Sequence, residues 1–244
     1  MGKKRRKKRR IKGRVFLVLL MLAAVVATLA SPVFNIESIE ISTGENLTQE
    51  QILMASGITA GVNTFKFSMG RARKRIAGIP YVDTVRVRRK LPGAVSIDVT
   101  ESVLLAYVPY MGSMAGIDKN AKVLEVVPIQ DESEKIYIDT AQPKKIDPGE
   151  QIGIDEPKII DIIVLYLSKF EEYGISETVE RLHVPSQVET GFTTRTGLYV
   201  NFSETDDMDY KFNMYLRVLT EIGSDAAGFL DLSVPEEAKY RKNI

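Results

Sequence analysis

The sequence lacks cysteine entirely and contains a single histidine, His183. The absence of cysteine excludes disulfide scaffolds, cysteine-ligated zinc sites and thiol catalysis. A single histidine excludes a multi-histidine metal site and weighs against a histidine-based catalytic triad. The sequence also has no P-loop, no Gly-x-Gly-x-x-Gly and no Ser-x-x-Lys pattern, so these signatures of nucleotide-binding and penicillin-binding proteins are missing.

Acidic residues are absent from the first 36 positions, whereas basic residues are concentrated there. Ten of the 33 lysines and arginines lie within residues 3–14, and the first acidic residue is Glu37. Residues 15–244 carry 23 basic and 32 acidic groups. The net charge of +1 therefore hides a positive tip followed by an acidic body.

Charged residues are also absent from the apolar segment 15–34. Twenty helical residues at a rise of about 1.5 Å each extend roughly 30 Å, the thickness of the hydrocarbon core of a bilayer. We expect a transmembrane helix over 15–34. Because the basic block flanks only its N-terminal end, the positive-inside rule places residues 1–14 in the cytoplasm as a basic tail and residues 35–244 outside the membrane. The cations expected to contact anionic lipid at the membrane surface are Lys7, Lys8, Arg9, Arg10, Lys12 and Arg14.

Two other interpretations of this region stay open. Thr28-Leu29-Ala30 resembles a small-x-small cleavage site, which would make the segment a removable signal peptide, although the apolar stretch is longer than a typical signal core. The basic run could also bind nucleic acid. Its position beside a predicted spanning helix favours the topological interpretation, so we expect no nucleic-acid partner.

Residues 35–101 show the order strand, helix, helix, strand, strand. The first helix begins at Thr48, with Gln51 as its capping-box partner, and Gly57 is placed to end it. The second helix is predicted over 68–77. The last two strands alternate apolar and polar residues on either side of a Pro-Gly turn. Two helices on one face of a three-stranded sheet form a reasonable two-layer domain.

At this point the sequence resembles a known family. A basic tip, an apolar span and this βααββ unit are similar to the FtsQ/DivIB cell-division proteins and to their polypeptide-transport-associated (POTRA) domain. The likeness is carried by Phe34-Asn35-Ile36, Gly57, Ile79-Pro80-Tyr81-Val82, Leu91-Pro92, and the alternating Val95, Ile97, Val99 and Glu101.

Residues 102–235 continue the likeness as a larger domain of short strands and two helices. The first helix is predicted to be capped by Asp155, and the second spans 206–222 and contains Lys211, which matches a lysine of the family. Phe229-Leu230-Asp231-Leu232 resembles the closing strand of the family. The expected fold class is α+β: one N-terminal transmembrane helix, a POTRA-type βααββ domain over 35–101, a larger mixed α/β sheet domain over 102–235, and a short C-terminal tail over 236–244.

The residues show no convincing active site. His183 alternates with apolar neighbours on a predicted strand, which favours a polar-face or core histidine over a catalytic base. The basic clusters at 71–75 and 86–90 are most simply a solvated face; a cationic surface that meets acidic partners, anionic lipid or wall polymer is the alternative.

The resemblance implies a non-enzymatic scaffold of the bacterial divisome in the inner (plasma) membrane, at the division septum. It implies partners of the FtsL and FtsB/DivIC type, a role in septal wall synthesis, no cofactor, and no small-molecule substrate. It places partner binding at the C-terminal sheet edge, by strand addition, with Phe229, Leu232, Val234 and Tyr240 as contact residues. The alternatives are a POTRA-bearing component of protein secretion or envelope assembly, and a wall-modifying enzyme.

Overall fold

The computed structural model describes residues 3–129, 134–234 and 236–242, with only the backbone for residues 3–14. Within these residues the chain forms five α-helices, one 3₁₀-helix and twelve strands, which confirms the expected α+β class. The contacts divide the chain into two units. Unit 1 comprises Met1–Ala77 and Val82–Glu101, and unit 2 comprises Gly78–Tyr81 and Ser102–Ile244.

The N-terminal helix ends earlier than the sequence predicts. Helix α1 spans Lys3–Leu29, and a 3₁₀-helix follows at Pro32–Phe34. Ser31 is extended (φ −60°, ψ 144°), as expected for a residue before proline, and the ring of Pro32 cannot continue an α-helix. Among the described residues, no helix combines the length and the hydropathy needed to cross a membrane.

Unit 1 contains a three-stranded sheet in the order β1-β3-β2, with β1 parallel and β2 antiparallel to the central strand β3. Its elements are β1 (Ser38–Ser42), α2 (Gln49–Ser56), α3 (Met69–Ile76), β2 (Val82–Lys90) and β3 (Ala94–Glu101). The βααββ order predicted from the sequence is therefore present.

Local hydrogen bonds explain where helix α2 begins and how the loop before it is held. The Thr48 hydroxyl accepts from the Gln51 amide at 3.2 Å, and the Gln51 side chain accepts from the Thr48 amide at 2.9 Å, so the predicted capping box is formed. Gly57 ends α2 in the left-handed conformation at φ 65°. The Glu101 carboxylate accepts from Thr43 Oγ1, from the Leu47 amide, and from the backbone and side-chain nitrogens of Asn46, at 2.9 to 3.1 Å, which fastens the loop before α2 to β3.

Unit 2 is built on a nine-stranded sheet with two helices. The strand order is β12-β11-β10-β9-β8-β7-β4-β5-β6. The strands are β4 (Ala106–Tyr110), β5 (Ser113–Ile117), β6 (Val123–Pro128), β7 (Ile136–Thr140), β8 (Val179–Val184), β9 (Gly191–Thr194), β10 (Leu198–Asn201), β11 (Gly228–Asp231) and β12 (Lys239–Lys242). The helices are α4 (Pro157–Glu172) and α5 (Met208–Ile222).

An aromatic cluster joins both helices to one face of this sheet. Tyr166 and Phe170 of α4 meet Phe212 of α5, with ring centroids 6.2 and 5.9 Å apart. Phe192 of β9 stacks on Phe212 at 6.1 Å and contacts Phe170 edge-on at 5.2 Å. All four rings are fully buried. Because aromatic pairs add roughly 0.5–1.5 kcal/mol each beyond the burial of their area, this cluster holds α4 and α5 on the sheet.

Candidate partner-binding edge of the nine-stranded sheet

The C-terminal residues form the outermost strand of the sheet of unit 2. Strand β12 pairs antiparallel with β11, with Leu230 opposite Tyr240. The sequence places residues 236–244 in a short tail, whereas Lys239–Lys242 form a strand. Tyr240 explains the difference, because its side chain packs against the core and its hydroxyl donates to the Ala227 carbonyl oxygen at 2.9 Å.

The four residues predicted to bind a partner lie in different environments. Val234 is 49% exposed, Phe229 and Tyr240 are half-buried, and Leu232 is 1% exposed. Leu232 therefore belongs to the core rather than to the surface, where its amide also donates to the Asn201 carbonyl oxygen at 2.9 Å.

Phe229 lies on the sheet face opposite the helices. Its ring is 5.6 Å from that of Tyr199, and the Arg241 guanidinium lies 5.9 Å from the Phe229 ring centroid. Such a cross-strand cation–π pair stabilises the outermost ladder by roughly 0.5–1 kcal/mol. Pro235, which follows Val234, lies outside the described residues.

A half-buried carboxylate, that of Asp231, fixes the end of β11. Asp231 accepts from Asn201 Nδ2 at 3.0 Å and from the Ser233 amide at 3.1 Å. Burial alone would raise the pKa of Asp231, but the hydrogen bonds from Ser233 and Asn201 outweigh it and lower the pKa. The carboxylate is thus held charged, and it orients the backbone that leads to Val234.

The loop that follows β10 is fastened by Lys211, which is 7% exposed. Its ammonium group donates to the carbonyl oxygens of Phe202 at 2.9 Å and Glu204 at 2.7 Å. Burial lowers the pKa of Lys211, and the acidic groups nearby oppose that shift. The lysine therefore ties α5 to the segment that follows β10.

A cavity of about 510 Å³ opens next to this loop. It combines apolar walls with several carboxylates, and its lining residues are Val188, Ser203, Glu204, Asp206, Asp207, Tyr210, Lys211, Leu232 and Ser233. Leu232 and Ser233 precede Val234 along the chain, but no residue of β12 lines the cavity, so it lies at the end of β11 rather than on the candidate edge.

His183 lies on the open face of the sheet, at some distance in sequence from this edge. Its Nε2 is 2.9 Å from Thr193 Oγ1 and its Nδ1 is 3.4 Å from Asp139 Oδ2. Burial lowers the pKa of His183 and so favours the neutral ring, while the Asp139 carboxylate opposes this shift. Thr193 lies in β9. The backbone of this strand pairs with β8 on one side and with β10 on the other, so its amides are used in the sheet and do not form an oxyanion hole beside His183. The arrangement is that of a half-buried, hydrogen-bonded histidine on the polar face, as the alternation predicts.

Sequence reasoning missed β12 and the contacts of Lys211. The alternation of charged residues around Tyr240 could have indicated the strand, but its pairing with β11 depends on residues ten positions away. The side chains of the predicted membrane-surface residues Lys7, Lys8, Arg9, Arg10, Lys12 and Arg14 lie outside the described part of the chain.

Comparisons with known proteins agree with this architecture. A family model for the FtsQ-type POTRA domain matches residues 34–102, which contain β1 to β3, α2 and α3. The cell division protein DivIB of Clostridium tetani is 23% identical over 89% of this chain and 83% of its own length. DivIB of Bacillus cytotoxicus is 22% identical over 98% of this chain and 91% of its own length. The cell division protein FtsQ of Corynebacterium glutamicum is 26% identical over 71% of this chain and 72% of its own length.

The POTRA match accounts for unit 1, and the DivIB and FtsQ matches extend through the large sheet of unit 2. Over most of its length the chain is therefore similar to the FtsQ and DivIB cell-division proteins, and residues 34–102 match the POTRA domain of the FtsQ type.

Proposed function

We propose that this protein is a non-enzymatic, single-pass scaffold of the divisome that binds FtsL and FtsB/DivIC-type partners at the septum and supports septal wall synthesis. Similarity to the FtsQ-type POTRA domain and to the DivIB cell division protein supports the role in division. The observation that carries the binding proposal is the outer edge of β12, which has β11 on one side and no strand on the other within the described residues.

An edge strand presents backbone N–H and C=O groups that a partner strand can satisfy. The sheet has a second edge at β6, but part of it is already used. The Val123 amide donates to the Glu150 carbonyl oxygen at 2.8 Å, and the Gly149 amide donates to the Val123 carbonyl oxygen at 2.8 Å. This difference between the two edges favours β12 as the docking strand.

The side chains near β12 support the same choice. Val234 offers an exposed apolar group beside the edge, whereas Phe229 and Tyr240 offer half-buried rings. We propose that a partner strand contacts Val234, Tyr240 and Phe229, and that Leu232 supports them from the core. A small apolar anchor surrounded by polar groups is the usual composition of the energetic centre of an interface.

Binding to the purified ectodomain of the FtsB/DivIC-type partner tests this proposal. Val234→Asp places a charge at an exposed position, so we expect at least about a tenfold loss of affinity with the fold intact. Val126→Asp is the matched control, because Val126 is 45% exposed on β6 at the opposite edge. Equal affinity of the Val234→Asp variant and the wild type, with circular dichroism unchanged, would refute the placement.

We further propose that segment 15–34 anchors the chain in the inner membrane, with the basic tail in the cytoplasm and the remaining domains outside. Two observations support an apolar environment around this segment. It contains no charged residue, and the side chains of Val15–Leu22, Val25 and Val26 are each 49% or more exposed. The proposed boundaries are 1–14 for the tail, 15–34 for the anchor, 35–101 for the POTRA-type domain, 102–235 for the larger domain and 236–244 for the C-terminal residues.

The absence of cysteine makes this topology easy to test. In intact cells, or in spheroplasts where an outer membrane is present, a membrane-impermeant maleimide should label a Ser42→Cys variant, because Ser42 is exposed in unit 1. A Gly13→Cys variant should react only after lysis. Labelling of Gly13→Cys before lysis, or of neither variant until lysis, contradicts the proposed orientation.

A further inference from the structure

The loop that joins α2 to α3 is fastened to the chain that leaves the N-terminal helix. The Asn63 side chain, which is 6% exposed, donates to the carbonyl oxygens of Leu29 at 3.0 Å and Ser31 at 3.3 Å. The next residue continues the connection, since the Thr64 amide donates to the Phe34 carbonyl oxygen at 2.8 Å. The loop and the end of α1 therefore form one hydrogen-bonded structure within unit 1.

Apolar side chains are exposed around this junction. The rings of Phe34 and Phe65 meet edge-on with centroids 5.4 Å apart, and Phe65 remains 40% exposed. Val62, in the same loop, is 38% exposed, and Val33, in the 3₁₀-helix, is 62% exposed. We call Val33, Phe34, Val62 and Phe65 the junction patch. Neighbouring exposed apolar groups of this kind mark a contact with another protein or with a membrane.

The POTRA sheet extends away from the junction patch. At the near end of β3, the Gly93 carbonyl oxygen accepts from the Glu37 amide at 2.7 Å. At the far end, the Glu101 carboxylate accepts from the Asn46 amide at 2.9 Å. With a rise of about 3.3 Å per residue, the two ends of this strand are roughly 23 Å apart. The patch is thus confined to the end of the domain where the chain enters from segment 15–34.

The continuity of the patch with segment 15–34 identifies the environment that it fits. This segment carries no charge, and Val33 and Phe34 are its last two residues, so the patch begins where the proposed anchor ends. The headgroup region adds roughly 5–7 Å to each side of the hydrocarbon core. A ring in contact with Phe34, such as that of Phe65, lies within reach of this region. Aromatic and aliphatic side chains bind at the boundary between headgroups and acyl chains.

Cations beside the patch suit the phosphates of a lipid surface. Lys66 follows Phe65, is exposed, and forms no ion pair among the described residues. Arg89 holds the loop from the other side, because it donates to the Thr64 carbonyl oxygen at 2.8 Å and lies 5.6 Å from the Phe65 ring centroid. An exposed ring fixed beside a free ammonium group is the combination that an interface of headgroups and acyl chains favours.

We infer that the junction patch docks the POTRA domain on the outer surface of the membrane, with Val33, Val62 and Phe65 among the headgroups and Lys66 at lipid phosphates. The inference rests on the proposed anchoring of segment 15–34 and adds a second membrane contact to it. A docked domain keeps one orientation relative to the bilayer, so the far end of β3 points away from the lipid. The occupant is an anionic lipid surface, which lies beside the patch wherever the anchor is inserted.

The chain contains no tryptophan, so a single introduced tryptophan reports its own surroundings. The full-length Phe65→Trp variant is placed in nanodiscs of phosphatidylcholine and phosphatidylglycerol that carry a spin label on the headgroup. We expect the label to quench at least about 30% of the fluorescence, because interfacial side chains lie about 5–10 Å deep in the headgroup boundary. Glu45→Trp is the control, since Glu45 is exposed beside Asn46 at the far end of β3. It should lose less than about 5%, because that end is roughly 23 Å away.

A second variant tests whether the patch itself makes the contact. Val62→Asp, introduced into the Phe65→Trp protein, places a charge among the apolar side chains and should reduce the quenching at least about twofold. Val103→Asp is the matched control, because Val103 is a 65% exposed valine two residues beyond the end of β3, and it should leave the quenching unchanged. Circular dichroism checks that both variants are folded.

A tryptophan inside the proposed anchor separates this inference from the proposed topology. If segment 15–34 lies in the membrane, lipids brominated in their acyl chains should quench Met21→Trp strongly. Quenching of Met21→Trp without quenching of Phe65→Trp would overturn the inference and leave the anchor in place. Quenching of neither would overturn both proposals.

Three other results would also overturn the inference. Equal quenching of Phe65→Trp and Glu45→Trp would indicate a domain that is tethered without a fixed contact. Unchanged quenching in the folded Val62→Asp variant would show that the patch does not make the contact. A blue shift of Phe65→Trp emission on addition of the partner ectodomain, without quenching by lipid, would place a protein on the patch instead.

Discussion

Replacement of Lys211 by methionine tests whether one buried ammonium group fastens the loop that follows β10. The change removes the hydrogen bonds to the carbonyl oxygens of Phe202 (2.9 Å) and Glu204 (2.7 Å) but keeps a side chain of similar length. Each hydrogen bond from a charged donor contributes roughly 1.5–3 kcal/mol. Because Lys211 is only 7% exposed, the change also removes the free-energy cost of burying a charge, which offsets part of this loss. We expect a net loss of about 2 kcal/mol at pH 7.

A loss of that size lowers the melting temperature of a domain of this size by about 4–8 °C. The matched control is Lys158→Met, because Lys158 is exposed on α4, and it should change stability by less than about 0.5 kcal/mol. Chemical denaturation followed by circular dichroism measures both variants. Equal stability of Lys211→Met and the wild type would refute the role assigned to these two hydrogen bonds.

The pH dependence gives a second readout for the same residue. Burial lowers the pKa of Lys211 below its ordinary value of 10.5, so the unfolded chain holds this proton more tightly than the folded chain. The contribution of Lys211 to the free energy of unfolding therefore increases with pH, from the pKa of the lysine in the folded protein up to 10.5. Across that interval the difference in stability between the wild type and Lys211→Met should grow.

Three further predictions follow from single contacts. Glu101→Gln should lower the free energy of unfolding by about 2 kcal/mol near neutral pH, because the carboxylate accepts four hydrogen bonds. Since the pKa of Glu101 is lowered in the folded protein, the difference in stability between the wild type and this variant should shrink as pH falls below about 4.5. Denaturation at several pH values measures this difference. Gly191→Ala should lower stability by about 1–3 kcal/mol, since the new Cβ would lie 2.4 Å from the Val200 carbonyl oxygen, and a thermal melt equal to the wild type would contradict that clash. Tyr240→Phe should lower the free energy of unfolding by about 1 kcal/mol, because it removes the hydrogen bond to the Ala227 carbonyl oxygen, and the amides of β12 should exchange faster. Unchanged exchange in β12 would show that the hydroxyl does not hold the strand.

Elements specified by local contacts could be predicted from the sequence. The capping box of Thr48 and Gln51 and the left-handed Gly57 depend only on neighbours within one turn of α2, and the structure contains both. The βααββ order of unit 1 follows from such local contacts and from alternation along the strands. These patterns are visible in a single sequence because the interacting groups are close along the chain.

Elements that depend on distant residues could not be predicted. Asp155 is expected to cap α4, but its carboxylate pairs with Lys144 at 2.5 Å, and the helix begins after Glu156 without a side-chain cap. Asparagine tolerates the left-handed region better than alanine, yet in the turn before β6 it is Ala121, and not Asn120, that adopts this conformation, at φ 57°. Hydrogen bonds from the Asn120 and Lys122 amides to the Asp118 carboxylate hold that turn.

The candidate site shows the same division. Phe229 and Tyr240 could be placed near the C-terminal edge from the closing strand motif. The burial of Leu232 and the use of β12 as the outermost strand required the pairing of β11 with residues about ten positions later. Pairing between segments is set by the packing of the whole sheet, which a single sequence does not display.

Hydrogen exchange of the β12 amides, measured with and without the partner ectodomain, tests the central proposal most directly. If a partner strand adds to the free edge, outward-facing amides within Lys239–Lys242 should exchange more slowly in the complex, with little change in β6. Protection confined to β6 or to unit 1, with β12 exchanging as fast as in the free protein, would contradict docking at this edge.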